Sequence, residues 1–576
     1  MSTVSSTAST ASTASAASTS TASTSSYTSS TASTSANSST VDWNGLIEAM
    51  VQAKLAKADT IDTQITTNQT KISSYQSLQG LLQDLATKSN ALSNPAGVSN
   101  ASTNVFANRA AYLTANGDVT ASSVASVDVD SGTDEGTYDL IVEQIAKAQK
   151  VASSTIASSS TALGYSGVFS IGTSAGTSAD ISVTSGMTLG DVVEAINNQT
   201  TTTGVRATTL QVSDGEYELL LTTTDTGQTI TTSSVSGDDV LNQLGVTDSS
   251  GAFTNEIQAS QQAKIKLDGV EMTRDSNDIS DVLDGVTFHL YSPTPTGTSV
   301  SVQVAPNLTN IETAINNFVT SYNALRDFVI AQNKTASDGT ADSSTVLFGD
   351  SALRSVSQQL ESDLNTMVSN NSLASFGITF DSNNKLEVDT TTLESALNNN
   401  LSDIQSLFEF QTTTSASDIR VLARGTDAPT SFTLDVTLDG SGAIASASVG
   451  GDSSLFTISG TRIIGKAGTA FDGFSFSFAG SASESIDFTL SYGLAQKIYA
   501  DSDAVGNATS GTLKTVIDNI EQQDTDLTSR SATIKSQADT YRTQLTDRYA
   551  KIQQQILQAN STITYLKQLN NTNSSN

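Results

Sequence analysis

No cysteine occurs in the 576 residues, which excludes disulfides, thiolate zinc sites and cysteine nucleophiles together. Histidine is nearly absent too, with His289 the single copy. Zinc motifs that need two histidines are therefore impossible, and a Ser-His-Asp triad would have to be built on one strand position. Basic residues are scarce: 27 Lys and Arg stand against 58 Asp and Glu, a net charge of -31. Such a chain repels phosphate backbones and anionic lipid, so nucleic acid is not an expected partner. No segment approaches the roughly 20 consecutive apolar residues of a membrane span, so membrane insertion is not expected. The first forty residues hold no Lys, no Arg and no apolar run, which gives neither the charged start nor the apolar centre of a cleaved secretory signal. A chain of this kind that is secreted would leave by another route and be stabilised by packing and self-association.

Residues 1–40 are Ser, Thr and Ala apart from Met1, Val4, Tyr27 and Asn37. They cannot bury enough surface to offset chain ordering and read as a disordered tail. From Gly45 to Leu92 the pattern turns helical, with Ile47, Val51, Ala58, Ile61, Ile65, Ile72, Tyr75, Leu82 and Leu85 largely at three- and four-residue spacing. Pro95 and Gly97 end it. A helix of roughly 70 Å is too long to stand alone and needs another long helix beside it. The far end of the chain supplies one. Leu513–Leu569 carries Ile520, Leu527, Ile534 and Tyr541 at seven-residue spacing, then Ile552, Ile556, Ala559, Ile563 and Leu566 at alternating four and three. Two coiled-coil seams thus bracket the molecule, and what lies between must loop out as a head.

The fold class expected is α+β and multidomain, with a helical coiled-coil stalk from both chain ends and inserted β-rich heads. Residues 41–98 form the first stalk helix. A β-rich domain takes 99–160 and 258–306, with Tyr138–Val142, Ile265–Val270, Val286–Tyr291 and Ser299–Val304 as strands. A second head domain, 161–257, is inserted in it and contains the short helix Thr188–Asn197 and the strand Glu216–Thr222. Residues 307–410 return to helix over Asn310–Ala331, Ser351–Val368 and Leu393–Phe408, around a hairpin at Ile378–Val388. Another β insertion spans 411–490, with strands Phe432–Leu438 and Phe471–Phe478, and 491–576 is the final coiled-coil helix with a flexible tail.

Several ordered motifs carry a family resemblance. Val41-Asp-Trp-Asn-Gly-Leu-Ile-Glu-Ala-Met-Val opens the first helix, and Gly136-Thr-Tyr-Asp-Leu-Ile-Val-Glu-Gln-Ile-Ala is similar to the flagellin hook repeat. Ile265-Lys-Leu-Asp-Gly-Val leads to Asp281-Val-Leu-Asp-Gly-Val-Thr-Phe. Ile315-Asn-Asn-Phe-Val-Thr-Ser-Tyr-Asn-Ala-Leu then precedes Leu347-Phe-Gly-Asp-Ser-Ala-Leu-Arg and Phe376-Gly-Ile-Thr-Phe. In this order they resemble the flagellar capping proteins, the flagellar hook-associated protein 2 family, over most of 41–410 and 491–569. The resemblance implies a protein secreted through the flagellar export apparatus, with an export chaperone as a further partner. It also implies a homo-oligomeric ring of about four to six copies at the filament tip, where the cap assists insertion of exported flagellin and prevents its loss. The Ser/Thr/Ala tail and the 411–490 insertion stand outside the resemblance. Alternatives are a surface adhesion module using the β head and a related hook-filament junction protein.

No catalytic constellation emerges, and neither enzyme activity nor a cofactor is expected. His289 lies on the strand face opposite Val286, Phe288 and Leu290. Asp128, Asp130, Asp134 and Glu135 suggest a calcium loop, but the sixth position is Thr133 where glycine is needed and the twelfth is Asp139 where a bidentate Glu is needed. Gly506-Asn-Ala-Thr-Ser-Gly-Thr-Leu-Lys places Lys514 two residues too late for a phosphate loop. The candidate functional residues are those of the seam: Ile47, Val51, Ile61, Ile65, Ile72, Leu82, Ile534, Ile552, Ile556, Ile563 and Leu566.

Overall fold

The computed structural model describes residues 42–94, 103–425 and 428–573. The expected tail over 1–40 and the helix stop at Pro95 and Gly97 lie outside the described residues. The chain divides into two compact units, Met1–Thr63 with Leu527–Asn576 and Gln64–Asp526.

Helix α1 (Trp43–Leu92) opens the described chain. Asp42 starts it, its carboxylate accepting from the Gly45 N–H at 3.0 Å, which satisfies one of the orphan donors of a first turn. Strands β1 (Arg109–Asn116), β2 (Ala125–Val129) and β3 (Gly136–Gln144) follow, then β4 (Lys150–Ala152), β5 (Gly167–Thr173) and β6 (Ala179–Val183). Helix α2 (Leu189–Asn197) begins with a capping box between Thr188 and Asp191. After it come β7 (Val205–Ser213), β8 (Glu216–Thr223), β9 (Ile230–Gly237) and β10 (Glu256–Gln258). The chain then returns through β11 (Ala263–Leu267), β12 (Val270–Arg274), β13 (Asp278–Leu283), β14 (Val286–Leu290) and β15 (Ser299–Pro306).

These strands build two β cores. The sheets β1-β15-β3-β11-β12 and β13-β14-β2 enclose Val142, Ile265, Phe288 and Val302. The sheets β10-β4-β8-β7 and β6-β5-β9, with α2, enclose Phe169, Ile171, Val192, Ile196 and Leu221. All strand pairs are antiparallel. Ile265–Val270, expected as one strand, is instead a hairpin: Leu267 pairs with Val270 across Asp268 and Gly269, both at positive φ (51° and 82°). An Asp-Gly pair is the residue choice that the tightest hairpin turn demands, and it breaks the run into β11 and β12.

A helical core comes next. Helix α3 (Leu308–Gln332) and α4 (Ser351–Leu364) are followed by the hairpin β16 (Ile378–Phe380) and β17 (Leu386–Val388), then by α5 (Thr390–Asn399) and α6 (Leu401–Phe408). Here too the pattern overruns: α4 stops at Leu364 and not Val368, and the single helix expected over Leu393–Phe408 breaks at Asn400, whose φ and ψ of -136° and 35° are not helical. Eight further strands form the second insertion: β18 (Gln411–Thr414), β19 (Ile419–Ala423), β20 (Ser431–Leu438), β21 (Ile444–Val449), β22 (Phe456–Ser459), β23 (Arg462–Gly465), β24 (Ser475–Phe478) and β25 (Glu484–Ser491). They make two four-stranded sheets, β18-β25-β20-β21 and β19-β24-β23-β22, packed on Phe432, Phe471, Phe476 and Phe488. Phe471–Phe474, expected as strand, is a turn with Gly473 at φ 81°, and β24 begins at Ser475.

Helix α7 (Leu494–Gly506) and α8 (Thr512–Asn573) complete the chain. Helix α7 had no counterpart in the sequence reading. It is separated from α8 by a turn in which the Asn507 side chain accepts from the N–H groups of Thr509 and Ser510. The helical core gathers Leu78, Leu82 and Leu85 of α1, Phe318 of α3, Leu360 of α4, Phe408 of α6, Ile498 of α7 and Leu513 and Ile517 of α8.

Entry to and exit from the 411–490 insertion are clamped together. A Cβ on Gly493 would stand 2.2 Å from the Glu409 carbonyl oxygen and 2.3 Å from that of Phe408, so only glycine lets the strands pass. The Glu409 carboxylate, buried, accepts from Asn104 Nδ2 at 2.8 Å and Gln405 Nε2 at 2.7 Å. Burial pushes this carboxyl up. Arg424 stacks 4.7 Å above the Phe410 ring and donates to the Ser93 carbonyl, and burial brings its guanidinium down to about 10.

Between α4 and α7, Asp363 is buried beside Asp501. Burial, then Asp501, pushes Asp363 up to about 7, while the Gln359 amide at 3.3 Å and the charge of Lys497 act the other way.

Candidate functional site: the paired terminal helices

In the unit formed by the chain ends, α1 and α8 lie side by side and antiparallel. Trp43 stacks on Tyr549 with ring centroids 4.8 Å apart. Glu48 accepts from Arg542 at 3.0 Å, and Asp62 accepts from Lys535 at 2.7 Å and Ser531 at 2.6 Å. The Lys535 contact, then that of Ser531, holds the Asp62 carboxyl below its ordinary value. Lys54 sits 4.4 Å over the Tyr541 ring. Ile47, Val51, Ala538 and Leu545 form the apolar cluster between the two helices. Ala538 and Val51 are fully buried, and the small side chain lets the backbones approach. The ion pairs here are half exposed, so they set register more than they add stability.

The seam residues fall in three environments. Ile47 and Val51 are buried in that cluster, while Ile61, Ile65 and Ile534 are half-buried. In the larger unit, Ile72 packs at the edge of the helical core and Leu82 is fully buried in it. Leu82 lies against α7, close enough that a Cβ on Gly506 would stand 2.6 Å from its own Cβ. Beyond Tyr549 the picture changes. Ile552 is half-buried, but Ile556, Leu557, Ile563, Tyr565 and Leu566 are 44% to 64% exposed. Helix α8 thus runs on for residues 550–573 past the stacked pair at the start of α1, with an apolar stripe facing outward. The sequence marks the stripe but not where its cover ends, because the Trp43–Tyr549 stack that fixes the register joins residues at opposite ends of the chain.

His289 and the carboxylates between Asp128 and Glu135 make contacts within the chain. His289 lies between two carboxylates, Nδ1 2.6 Å from Asp278 Oδ1 and Nε2 3.2 Å from Asp128 Oδ2. The Asp278 contact chiefly raises its pKa. The neighbouring Ser126 hydroxyl bonds Tyr291, so no Ser-His pair forms there. Asp130 closes a turn with Thr133 and Glu135 pairs with Arg109 at 3.4 Å. Among the described residues no group of three or more His, Asp or Glu could hold a metal ion. No described helix is long and apolar enough to cross a membrane.

Comparison with known proteins is consistent in direction. The profile for the flagellar hook-associated protein 2 C-terminus matches residues 260–561, and the profile for its N-terminus matches 39–149. The flagellin hook IN motif matches 168–225. That match corrects the expectation that Gly136–Ala146 carries the hook repeat, since those residues lie within the N-terminal profile. The chain is 31% identical to flagellar hook-associated protein 2 of Escherichia coli (strain K12) over 386 residues, 64% of this chain and 78% of that one. It is 28% identical to the B-type flagellar hook-associated protein 2 of Pseudomonas aeruginosa over 392 residues, 64% and 79%. Among solved structures it is similar to the D1-D2-D3 domains of the flagellar cap protein FliD from Escherichia coli, with a TM-score of 0.47 at 22% identity, covering 78% of this chain and 99% of that one.

These matches, reaching into both terminal helices, define a structural protein of the bacterial flagellum. Within that class the chain belongs to the flagellar hook-associated protein 2 family, the filament caps, and it is exported to the filament tip.

Proposed function

We propose that this chain caps the filament as a homo-oligomeric ring, assists insertion of exported flagellin beneath it and prevents its loss. In this reading the paired ends of α1 and α8 are the legs of the cap, and the seam from Ile47 to Leu566 is a coiled-coil stalk. The observation that carries it is the uncovered stripe of Ile556, Leu557, Ile563, Tyr565 and Leu566. A helix end exposing that much apolar surface marks a contact with another chain. Export through the flagellar apparatus, with a chaperone holding the stripe until delivery, accounts for how such a surface stays soluble.

Electron microscopy of the purified protein tests the ring. Closed particles with one copy number and α-helical legs on one side are expected; a monodisperse monomer at every concentration contradicts it. The adhesion role gains no support from the insertion: among its described residues, Gln411–Ser491, no large apolar side chain is exposed, and ring-stacking platforms for sugars are of that kind.

A further inference from the structure

We infer that protonated His289 pins the segment 275–278, and that raising the pH releases the pin and loosens the seat of the second β head on the first.

The segment 275–278 runs from the end of β12 into β13 and touches both β cores. Toward the second head, the Asp275 carboxylate accepts from Gln228 Nε2 at 3.1 Å, and its backbone carbonyl accepts from the Thr226 hydroxyl at 2.5 Å. Gly227, at φ 74°, lies so close that a Cβ on it would stand 2.7 Å from the Asp275 Cα. Toward the first head, Gln262 Nε2 donates to the other Asp275 oxygen at 2.6 Å. Asn277 brackets Ala146, accepting from its N–H at 2.6 Å and donating to its carbonyl at 3.0 Å, and the Asn277 carbonyl accepts from the Leu290 N–H at 2.9 Å. A cleft of about 670 Å³ lined by Thr173, Thr202, Gln228, Asp275 and Asp278 admits water to this joint, so polar contacts hold it more than packing does.

The far end of the segment depends on Asp278. Strand β13 is irregular, matching β14 at Asp278–His289, Ile279–Phe288 and Leu283–Val286 with a register shift between Ile279 and Leu283. Asp278 therefore opens the short regular stretch by which the sheet grips the segment. Its Oδ1 lies 2.6 Å from His289 Nδ1, and on the other side of β14 the Asp128 Oδ2 of β2 lies 3.2 Å from Nε2. A neutral imidazole carries one N–H and one lone pair, so only the imidazolium donates to both carboxylates. Loss of the proton leaves Asp278 without its donor or turns a lone pair toward Asp128.

The surroundings supply no substitute cation. Strand β14 has no other charged residue, and β2 has only Asp128. On β13 the other acid, Asp281, is bonded to Arg274 of β12 at 2.8 Å, and Arg109 of β1 pairs with Glu135. The turns after β2 and β13 add the acids Asp130, Asp134 and Asp284, the cleft adds Asp225 and Asp275, and the Tyr291 hydroxyl is bonded to Ser126 at 2.7 Å. The Asp278 bond, as the larger influence, and that of Asp128 raise the imidazole above the ordinary histidine value, while partial burial acts the other way. A group that holds its proton more tightly when folded contributes stability that is fully present below its unfolded-chain pKa and is lost as pH rises through the folded one. The pin is closed on the acid side and opens toward alkaline pH.

The single histidine makes the test unambiguous. In the full chain labelled with ¹³C-histidine, NMR reads one imidazole, whose titration midpoint should lie above that of the same chain in denaturant. Asp278→Asn should lower the midpoint more than Asp128→Asn does. Hydrogen exchange, expressed as protection factors, reads the joint through the amides of Ala146 and Leu290, both bonded to Asn277, and of Gly227, which donates to the Lys147 carbonyl. Their protection should fall about two- to fivefold as pH passes the midpoint, with the amides of β20 as the control for global opening. His289→Lys, a cation across the whole range, should keep the acid-side protection at alkaline pH, and His289→Gln should show the lower value throughout. A midpoint at or below that of the denatured chain, protection in the parent that does not change across the midpoint, or a His289→Gln chain that keeps the parent's pH response each overturns the pin.

Discussion

Replacing Ile556, Ile563 and Leu566 together by Glu is expected to leave the melting temperature of the purified chain unchanged and to abolish filament growth in cells. All three side chains are about half exposed on α8 beyond Tyr549. Glutamate is nearly as good a helix former as leucine, so the helix itself loses only about 0.2 kcal/mol per site. Among the described residues no apolar cluster includes these positions: the cluster between α1 and α8 consists of Ile47, Val51, Ala538 and Leu545, with Met50, Leu55, Tyr541 and Tyr549 around it. If the stripe seats against another chain, each replacement forfeits about 1 to 2 kcal/mol of burial and adds a charge to an apolar contact. Three together remove enough to dissociate an ordinary interface. Circular dichroism on the protein and filament length in cells read the two halves separately. Normal filaments would show that the stripe does nothing, and a large drop in melting temperature would show that it is part of the fold.

The second large effect is on stability and its dependence on pH. Asp363→Asn is expected to stabilise the chain by about 2 kcal/mol at pH 8 and by only about a third of that at pH 5, allowing for solvent that reaches one side of the pair. The sign follows from a carboxyl whose pKa is raised on folding, to about 7 in this case. Below its ordinary value both folded and unfolded chains hold the proton and there is no penalty. As pH rises from there to about 7, the unfolded chain gives up the proton freely while the folded one must keep it or face Asp501 as a second anion, so stability falls across that window. Asparagine supplies a neutral partner at every pH and removes the slope. Urea denaturation midpoints at pH 5, 6, 7 and 8 check this. An equal loss of stability at every pH would mean that the pair acts through packing alone.

What could be read from the sequence follows the kind of signal each element carries. Helices α1 and α8 announce themselves, because Ile, Leu and Val recur at three- and four-residue spacing over several turns. The observed Trp43–Leu92 and Thr512–Asn573 differ from the expected spans by a few residues at their ends. Helix α7 is hidden for the opposite reason. Its buried face is Ala495, Gln496, Ser502 and Gly506 as much as Leu494 and Ile498, small and polar groups that carry no hydrophobic period. The β11–β12 hairpin was signalled by Asp268-Gly269 and overlooked inside an apolar run, whereas the break at Asn400 has no strong breaker to mark it.

At the candidate site, the seam residues were legible and their fates were not. Periodicity treats Val51, Leu82 and Ile563 alike. The structure buries Val51 between the terminal helices, buries Leu82 in the core shared with α7, and leaves Ile563 exposed. Those outcomes depend on where a partner begins and ends, which is set by pairs such as Trp43–Tyr549 and Glu48–Arg542 that no local pattern reveals. The contact of buried Asp363 with Asp501 is invisible for the same reason.

The most direct test of the cap itself is to delete the gene and measure flagellin in the culture medium. Monomeric flagellin should accumulate outside the cells while filaments are short or missing, and the intact chain supplied in trans should reverse both. Filaments of normal length with no flagellin in the medium would contradict the account.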